Sequence, residues 1–428
     1  MFRPMESYQK YGGVLTFARS VGYAVVKKPE GYTTAKVDQI IQEYEKKSAN
    51  EQQSTAKQYP NIITVVNETF ADIKVLGDFK TNEDYMPYFH SLKKNCVTGY
   101  TYASIVGGQT ANTEFELLTG NTLGFLSAGT TAFQLYIHGQ MPSLVSNLKA
   151  EGYSGNKAMH PFNPYNYNRP AVYKDFGFTD FIDKFDFPKN VKRVREYISD
   201  EANVDRIISE YEKNRKKTDQ PFYMYNMTIQ NHSPYDKDAA NFKQPIKIES
   251  SKYDAEANRY LNLIKYSDDS LKQLTSYFEK CKEPTIILFL GDHQPRLTDE
   301  FMNKITNGQY QTWSSEQMMK RYQVPFVIWA NYDIKEQHIE KTSMNYIQSI
   351  LTKTAGVKMT GYQRFLNEVR KEVPTITSQG YWGKNGKFYQ INDKGSPYYG
   401  IIQKYRMIQY NMMFDKKNRR DSFFEVSK

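Results

Sequence analysis

The stretch that most constrains the fold is the apolar run Thr285–Gly291, which is followed at once by Asp292 and His293. Its β-branched and large apolar residues predict a strand that is buried on both faces. Ligands of open α/β sheets bind just beyond the carboxyl ends of the strands. A carboxylate and an imidazole at that place indicate half of a metal site, although an ordinary strand-to-loop turn could carry the same two residues.

Three other predicted strands also end on an acidic or imidazole side chain. They are 61–67 followed by Glu68, 222–230 followed by Asn231 and His232, and 153–159 followed by His160. The chain has six histidines, and three of them stand at the ends of these four strands. This repetition favours a common site at one edge of the sheet over four unrelated turns.

Helical patterns separate the predicted strands, at 141–150, 201–215 and 255–280. Strands that alternate with helices indicate a central mixed, mostly parallel sheet flanked by helices. A further strand is predicted at Val324–Ala330, near an edge of the sheet because Pro325 cannot donate a ladder hydrogen bond. The fold class is therefore α/β.

A candidate nucleophile, Thr110, follows the glycine pair Gly107-Gly108 and begins a helical pattern that stops at Gly120. The free N–H groups and the dipole of a helix N-terminus favour a bound anion such as phosphate. A threonine at this place is also a common helix cap. Metal coordination would make its hydroxyl a competent nucleophile, which indicates phosphoryl transfer through a phosphothreonine.

These motifs together resemble, in order along the chain, those of the lipoteichoic acid synthase family. That family comprises phosphoglycerol transferases of the alkaline phosphatase and sulfatase superfamily. The segments that carry the resemblance are Asn67–Phe70, Gly108–Phe115, His160–Arg169, Asn231–Tyr235 and Gly291–His293, and the likeness extends over about residues 60–356.

The resemblance implies a role for each matched residue. Thr110 is the implied nucleophile, and the implied metal ligands are Glu68, Thr110, Asp292 and His293. The implied substrate-binding residues are His160, Tyr167, Arg169 and His232. One divalent metal is expected, with Mn²⁺ as the first choice, while the ligand types also allow Mg²⁺ or Zn²⁺.

The activity implied is transfer of glycerol phosphate from phosphatidylglycerol to a cell-surface glycopolymer or glycolipid, through a covalent glycerophosphoryl intermediate on Thr110. Hydrolysis of a phosphodiester, a phosphoethanolamine transferase, and an inactive relative that binds lipid or glycan are the alternatives. The chain lacks the Cys/Ser-x-Pro-x-Arg motif of sulfatases, which argues against sulfate ester hydrolysis. Its two cysteines, Cys96 and Cys281, and its few histidines argue against a phosphoethanolamine transferase, and no disulfide is predicted. The family often carries Trp where Tyr167 stands, which leaves the donor and acceptor preference open.

Charge and hydropathy suggest where such an enzyme works. The chain has 57 Lys+Arg against 47 Asp+Glu, a net charge of +10, which suits an anionic membrane surface. No nucleic-acid motif appears, so no nucleic-acid partner is expected. No run approaches about 18 apolar residues. The resemblance places the chain at the extracellular face of the bacterial cell membrane, as the soluble, monomeric domain of a membrane-anchored protein.

Three regions are predicted along the chain: a lead-in and connecting segment at 1–59, a sulfatase-like catalytic domain at 60–356, and a small C-terminal α+β subdomain at 357–428. The lead-in carries a helical pattern that is expected to lie against the catalytic domain. The C-terminal region has helical patterns at 359–369 and 403–413. It also has a hairpin signal at Asn385-Gly386, and its basic end after Asp415 is predicted to be frayed.

Overall fold

The structure is a computed structural model that describes residues 9–10, 12–13, 23, 26–48, 58–249 and 255–426. Much of the predicted connecting segment at 8–32, and the end of the lead-in helical pattern at 49–57, lie outside the described residues. No helix in the described ranges is both long enough and apolar enough to cross a membrane.

The predicted apolar runs form the middle of a large sheet. The strands of the described residues are, in chain order, β1 (Asn61–Asn67), β2 (Cys96–Tyr102), β3 (Ser154–Met159), β4 (Asp180–Ile182), β5 (Arg193–Val194), β6 (Tyr197–Ile198), β7 (Phe222–Met227), β8 (Thr285–Gly291), β9 (Gln323–Ala330), β10 (Gln337–Ser343), β11 (Thr375–Thr377), β12 (Gly380–Trp382) and β13 (Phe388–Tyr389). Eight of them form one sheet in the order β10-β2-β9-β8-β1-β7-β3-β4. Only β9 runs antiparallel to its neighbours, so the sheet is mixed and mostly parallel, as predicted.

Helices fill the connections between these strands. In chain order the α-helices of the described residues are Thr34–Ser48, Pro87–Ser91, Thr110–Thr119, Ala132–Leu135, Leu144–Ala150, Arg169–Phe176, Asp200–Arg215, Ala255–Phe278, Asp299–Ile305, Ser315–Met318, Met344–Thr354, Gly361–Glu372, Tyr399–Met413 and Asp421–Phe424. Side-chain caps set two of the predicted starts. Ser143 accepts from the backbone N–H of Ser146, and Ser199 accepts from that of Ala202.

Strand β1 lies at the centre of the sheet and is buried along its whole length. It pairs in parallel with β7 on one side and with β8 on the other. Asn67 at its end is in register with Gly291 at the end of β8. The residues that follow these two strands, Glu68 and Asp292, are therefore brought to the same edge of the sheet.

The predicted edge position of the Val324–Ala330 strand is wrong. This strand, β9, lies inside the sheet between β2 and β8. Pro325 is in register with Tyr100 of β2, whereas the register with β8 begins one residue later, where Phe326 pairs with Leu290. No partner on β8 therefore requires the missing N–H of Pro325.

The two ends of the described chain pack together. The helix Thr34–Ser48 buries Val37 and Ile40 and lies against the helices Gly361–Glu372 and Tyr399–Met413. Its main neighbours are thus C-terminal helices. The hairpin predicted at Asn385-Gly386 is present as the antiparallel pair of β12 and β13.

The predicted fraying after Asp415 is also wrong. Residues 421–424 form a short helix, and Phe423 and Phe424 are buried in the main core. Aromatic burial holds this basic end in place, because two phenylalanines bury a large apolar area. The buried residues of 60–356 and those of the C-terminal region form one continuous cluster. The division into three regions remains a prediction.

The glycine at the end of β8 allows the close approach of the loop that follows β1. A Cβ atom added to Gly291 would lie 1.8 Å from the carbonyl oxygen of Phe70. Because the atom it meets is backbone, an alanine there forces the two chain segments apart. We expect Gly291→Ala to lower the free energy of unfolding by about 3 kcal/mol, measured by urea denaturation.

Gly400 offers a matched control, because a Cβ atom there meets nothing within 4 Å. It lies in the helix Tyr399–Met413, where alanine is the better helix former. We expect Gly400→Ala to leave stability within about 1 kcal/mol of the wild type, on the stabilising side. Equal stability of the two variants would contradict the importance of the contact at Gly291.

Candidate active site

Three of the four predicted metal ligands form a buried cluster at the carboxyl edge of the sheet. Ligand atoms of Glu68, Asp292 and His293 all lie within 4.8 Å of one another. The His293 Nε2 atom is 3.2 Å from Asp292 Oδ2 and 3.9 Å from Glu68 Oε1. Each of the three side chains is at most 4% exposed. Two carboxylates and an imidazole are a donor set that suits a divalent cation.

Backbone contacts orient two of these side chains towards the same point. Asp292 Oδ1 accepts from the N–H groups of Thr69 and His293, at 2.7 and 2.8 Å. His293 Nδ1 lies 3.0 Å from the carbonyl oxygen of Gln294, which fixes the proton on Nδ1. Asp292 Oδ2 and His293 Nε2 are buried and have no hydrogen-bond partner among the described residues. Because orphaned buried polar atoms are rare, these two atoms fit a bound cation.

The electrostatics of the cluster favour the same interpretation. Burial, and then the nearby Asp292 carboxylate, raise the pKa of Glu68 to about 8. Burial likewise raises the pKa of Asp292, against the opposing effect of His293. Two carboxyl groups that are this close together and shielded from water resist ionisation unless a positive charge binds between them.

Thr110 lies beside this cluster as the first residue of its helix. Its hydroxyl donates to Glu68 Oε2 at 3.4 Å. Residue Gln109 precedes the helix in the left-handed backbone region, with φ 67°, and makes no side-chain cap. The Thr110 hydroxyl is thus turned to the cluster rather than used as a helix cap. One turn further on, Thr113 donates to the carbonyl oxygen of Asp292 at 2.8 Å, which ties the helix to the metal-ligand loop.

The predicted substrate residue Arg169 is held by a buried ion pair. Arg169 Nε and Nη2 donate to Oε1 of Glu114, at 3.1 and 2.7 Å. The hydroxyls of Tyr173 and Tyr225 donate to Oε2 of the same carboxylate. Arg169 is 2% exposed and Glu114 is not exposed, so the pair is fully desolvated. Glu114 stands one turn after Thr110, so one helix carries the candidate nucleophile and also anchors the candidate anion-binding cation.

A cavity of about 380 Å³ brings the remaining predicted residues together with the cluster. Its walls include His160, Tyr167, Arg169 and His232, together with Glu68, Thr110 and His293. His160 Nδ1 contacts the carbonyl oxygen of Met227 at 3.0 Å. Burial, and then the positive charge of Arg169, hold the pKa of His160 well below its usual range. His160 is therefore neutral, with Nε2 left as a hydrogen-bond acceptor.

The cavity wall holds residues whose backbone is in the left-handed region. Thr69, Gln109 and Tyr167 have φ values of 49°, 67° and 60°. Such conformations are strained for residues other than glycine and cluster at functional sites. In Tyr167 the strain turns the ring onto the Arg169 guanidinium, whose central carbon lies 5.1 Å from the ring centroid.

Sequence reasoning missed several residues of this site. Glu114 lies inside the quoted nucleophile motif, and its position four residues after Thr110 on a predicted helix could have placed it on the same face. Arg296 lines the cavity three residues after His293 and is exposed, so it adds a second cation to the mouth. Phe162 and Gln134 also line the cavity, and no sequence signal marks them. Cys96 and Cys281 are free thiols in the structure.

The fold and the site together define an enzyme-like domain of the alkaline phosphatase and sulfatase type. The Sulfatase family model matches residues 60–357, and the chain belongs to this family. This finding confirms the superfamily to which the sequence motifs pointed.

Two curated relatives show how far the likeness extends. Over 99% of its length the chain is 30% identical to the "Putative cyclic beta-1,2-glucan modification protein" of Rhizobium meliloti (strain 1021). It is 28% identical over 196 residues, 44% of the chain, to the lipoteichoic acid synthase of Staphylococcus aureus (strain USA300). The chain spans 65% of the length of the first relative and 28% of the second.

Solved structures share the fold at low identity. The Streptococcus pyogenes phosphoglycerol transferase GacH, in complex with sn-glycerol-1-phosphate, has a TM-score of 0.75 and 20% identity. That match covers 94% of this chain and 100% of GacH. The lipoteichoic acid synthase LtaP of Listeria monocytogenes has a TM-score of 0.63 and 19% identity, over 91% of this chain and 98% of LtaP. These likenesses confirm the predicted fold class.

Removal of the charge on Glu114 would leave a buried, unpaired guanidinium. We expect Glu114→Gln to lower the free energy of unfolding by about 3 kcal/mol, measured by urea denaturation. Glu116, on the same helix, is a matched control, because burial raises its pKa to about 7. Since glutamine resembles the protonated acid, Glu116→Gln should change stability by less than about 1 kcal/mol at pH 6. Equal losses in the two variants would contradict a specific role for the Arg169 pair.

Metal affinity should depend on pH through Glu68. In the metal-free protein the pKa of Glu68 is about 8, so binding of a cation below that pH must displace a proton. Affinity for Mn²⁺ should therefore weaken as the pH falls, by up to about tenfold for each pH unit. Isothermal titration calorimetry between about pH 6 and pH 8 measures this. Affinity independent of pH would contradict displacement of a proton from Glu68 on binding, and His138→Gln on the surface serves as the unaffected control.

Proposed function

We propose that this protein transfers glycerol phosphate from a phosphatidylglycerol-type lipid to a glycopolymer or glycolipid acceptor, through a covalent intermediate on Thr110. One observation carries the proposal. The Thr110 hydroxyl stands at a helix N-terminus, 3.4 Å from Glu68 Oε2. The cavity around it is also lined by His293, which follows Asp292 in the chain, and by the buried Arg169. A nucleophile, a metal-type donor set and an anion-binding cation in one cavity are what phosphoryl transfer requires.

The walls of the cavity suit a glycerophosphoryl group. Arg169 supplies a fixed cation for the phosphoryl oxygens, because its Nε and Nη2 atoms are already held by Glu114. His160, which is neutral, offers Nε2 as an acceptor for a glycerol hydroxyl. Tyr167 covers the guanidinium and closes one side of the cavity.

The reaction begins with attack of Thr110 Oγ on phosphorus. The Oγ–P bond forms as the bond between phosphorus and the diacylglycerol oxygen breaks, and the proton of Thr110 passes to that oxygen. His232 is the proposed relay, since its Nδ1 is engaged by the carbonyl oxygen of Ser233 at 2.7 Å and Nε2 is left for the cavity that it lines. An acceptor hydroxyl then attacks phosphorus, the bond to Thr110 breaks, and the acceptor's proton returns to Thr110.

Glu68, Asp292 and His293 are the proposed holders of one divalent cation, with Thr110 as the fourth ligand. Such a cation, when bound, lowers the pKa of the threonine hydroxyl and neutralises charge on the phosphoryl oxygens. Mn²⁺ is the proposed ion, and Mg²⁺ or Zn²⁺ would satisfy the same donors.

The comparisons support an acceptor that contains sugar. The relative that aligns with 99% of the chain is named for modification of a cyclic beta-1,2-glucan, and others are named lipoteichoic acid synthases. We accordingly propose that the chain works as a monomer at the extracellular face of the bacterial cell membrane, as part of a membrane-anchored protein. The net charge of +10 supports contact with an anionic lipid surface.

Replacement of the nucleophile tests the reaction. We expect Thr110→Ala to reduce release of diacylglycerol from phosphatidylglycerol by at least about 10⁴-fold, and to abolish a glycerophosphoryl adduct detectable by mass spectrometry of the intact protein. Thr119→Ala is the control on the same helix, because the Thr119 hydroxyl donates to the carbonyl oxygen of Phe115, accepts from the N–H of Asn121 and does not line the cavity. Retained turnover in Thr110→Ala would overturn the proposal.

The same assay separates transfer from hydrolysis. When a glucan acceptor is added, a transferase moves the label from the lipid headgroup to the glucan. A hydrolase instead releases free glycerol phosphate at the same rate with or without the acceptor.

A further inference from the structure

Two large hydrophobic side chains stand out on the surface of the described residues. Tyr165 is 79% exposed and Phe185 is 74% exposed, whereas the other large hydrophobic side chains in the described ranges are buried or half-buried. The chain contains 25 Phe and 35 Tyr, so the protein buries most of its aromatic surface. Two aromatic side chains left fully in water therefore require an explanation.

Both side chains belong to loops that meet at the mouth of the catalytic cavity. Tyr165 lies between Phe162 and Tyr167, which line the cavity. The loop of Phe185 is joined to the same segment, because the N–H of Lys184 donates to the carbonyl oxygen of Phe162 at 3.4 Å. The two exposed aromatic residues thus lie on adjoining loops, one of which lines the cavity.

The exposure of these side chains is fixed by the backbone. Asp183 accepts from the N–H of Phe185 at 2.7 Å, and Asp186 accepts from that of Asp183 at 2.8 Å, which closes a capping box around this turn. In the other loop, the N–H of Tyr165 donates to Asn163 Oδ1 at 3.2 Å. These bonds order the backbone of both loops before any partner arrives, so less backbone entropy is lost on contact.

Cations accompany Phe185 on its loop and just beyond it. Lys184 Nζ lies 4.9 Å from the ring centroid of Phe185 and 6.0 Å from that of Phe162. Lys189, further along this loop, and Arg193, the first residue of β5, are exposed. The acidic side chains of the turn, Asp183 and Asp186, are bonded to backbone N–H groups. Aromatic side chains flanked by lysines are the pattern of segments that lie at a lipid–water interface.

We propose that the rim formed by Tyr165 and Phe185 docks on the surface of an anionic phospholipid bilayer and seats the cavity mouth on the headgroup layer. This inference rests on the proposed function, because the headgroup of a lipid donor must reach Thr110 from the bilayer. The aromatic rings enter the interface while Lys184, Lys189 and Arg193 contact lipid phosphates. Charge complementarity favours an anionic bilayer over a neutral glycan.

Binding to vesicles tests the docking surface without any chemistry. The probe is co-sedimentation with phosphatidylglycerol vesicles and with phosphatidylcholine vesicles, using the whole chain in its Thr110→Ala form so that no turnover occurs. The Tyr165→Ser/Phe185→Ser variant should bind phosphatidylglycerol vesicles at least about tenfold more weakly, because two apolar rings are removed from the interface. The half-buried aromatic residues Trp313 and Tyr399 lie outside the cavity lining, so Trp313→Ser/Tyr399→Ser is the control and should bind as the parent does.

Turnover then separates docking from substrate binding. In the active protein, the Tyr165→Ser/Phe185→Ser variant should turn over a short-chain, monomeric phosphatidylglycerol at the parent rate and lose activity only on vesicles. Equal vesicle binding by the parent and this variant would overturn the inference. A loss of activity on the monomeric donor would also overturn it and assign the rings to donor binding. A loss of activity that appears only with added glucan would overturn it and assign the rings to acceptor binding. Because the vesicle measurement involves no reaction, failure of the proposed activity would leave its result intact.

Discussion

The site depends on the parallel pairing of three strands at the centre of the sheet. β1 lies between β7 and β8, and their registers bring the ends of all three strands to one edge. Glu68 follows β1, Asp292 and His293 follow β8, and His232 comes shortly after β7. A shift of the β1–β8 register by one residue would move Glu68 by about 3.3 Å along the strand and turn its side chain to the other face. The buried length of β1 therefore specifies the geometry of the site as well as the core.

The strand pairing also compensates for the free-energy cost of burying the groups of this cluster. Two carboxyl groups and an imidazole would normally seek water, and burial raises the pKa of both acids. The sheet and the Thr110–Thr119 helix hold the groups in place through backbone contacts to Asp292 and His293. Folding energy from the apolar strands thus offsets the desolvation of a site that becomes balanced in charge only with a cation.

The sequence carried enough information for the fold class and for the meeting of Glu68, Asp292, His293 and Thr110. Fully apolar runs mark central strands, and residues after parallel strands must converge at one edge. The predicted edge position of the strand with Pro325 was wrong, because the rule about proline in sheets concerns only its missing N–H donor and does not say where the register with a neighbouring strand begins. The predicted fraying after Asp415 was wrong as well, because the composition of this segment is basic but two phenylalanines decide its packing. Glu114 and Phe162 could not be assigned from composition, since their roles arise from contacts with residues far along the chain.

The contacts of the helix Thr110–Thr119 determine which parts of the site can diverge in sequence. It presents Thr110 to the metal-type cluster, Thr113 to the Asp292 carbonyl oxygen and Glu114 to Arg169, all within two turns. The candidate nucleophile and the anchor of the candidate anion-binding cation therefore lie on one helix, while the loop 160–168 forms another part of the cavity wall. Substitutions at Phe162 in that wall can alter the shape of the cavity while the contacts of the helix with Asp292 and Arg169 stay in place. The architecture separates the part of the protein that sets the chemistry from the part that is free to diversify.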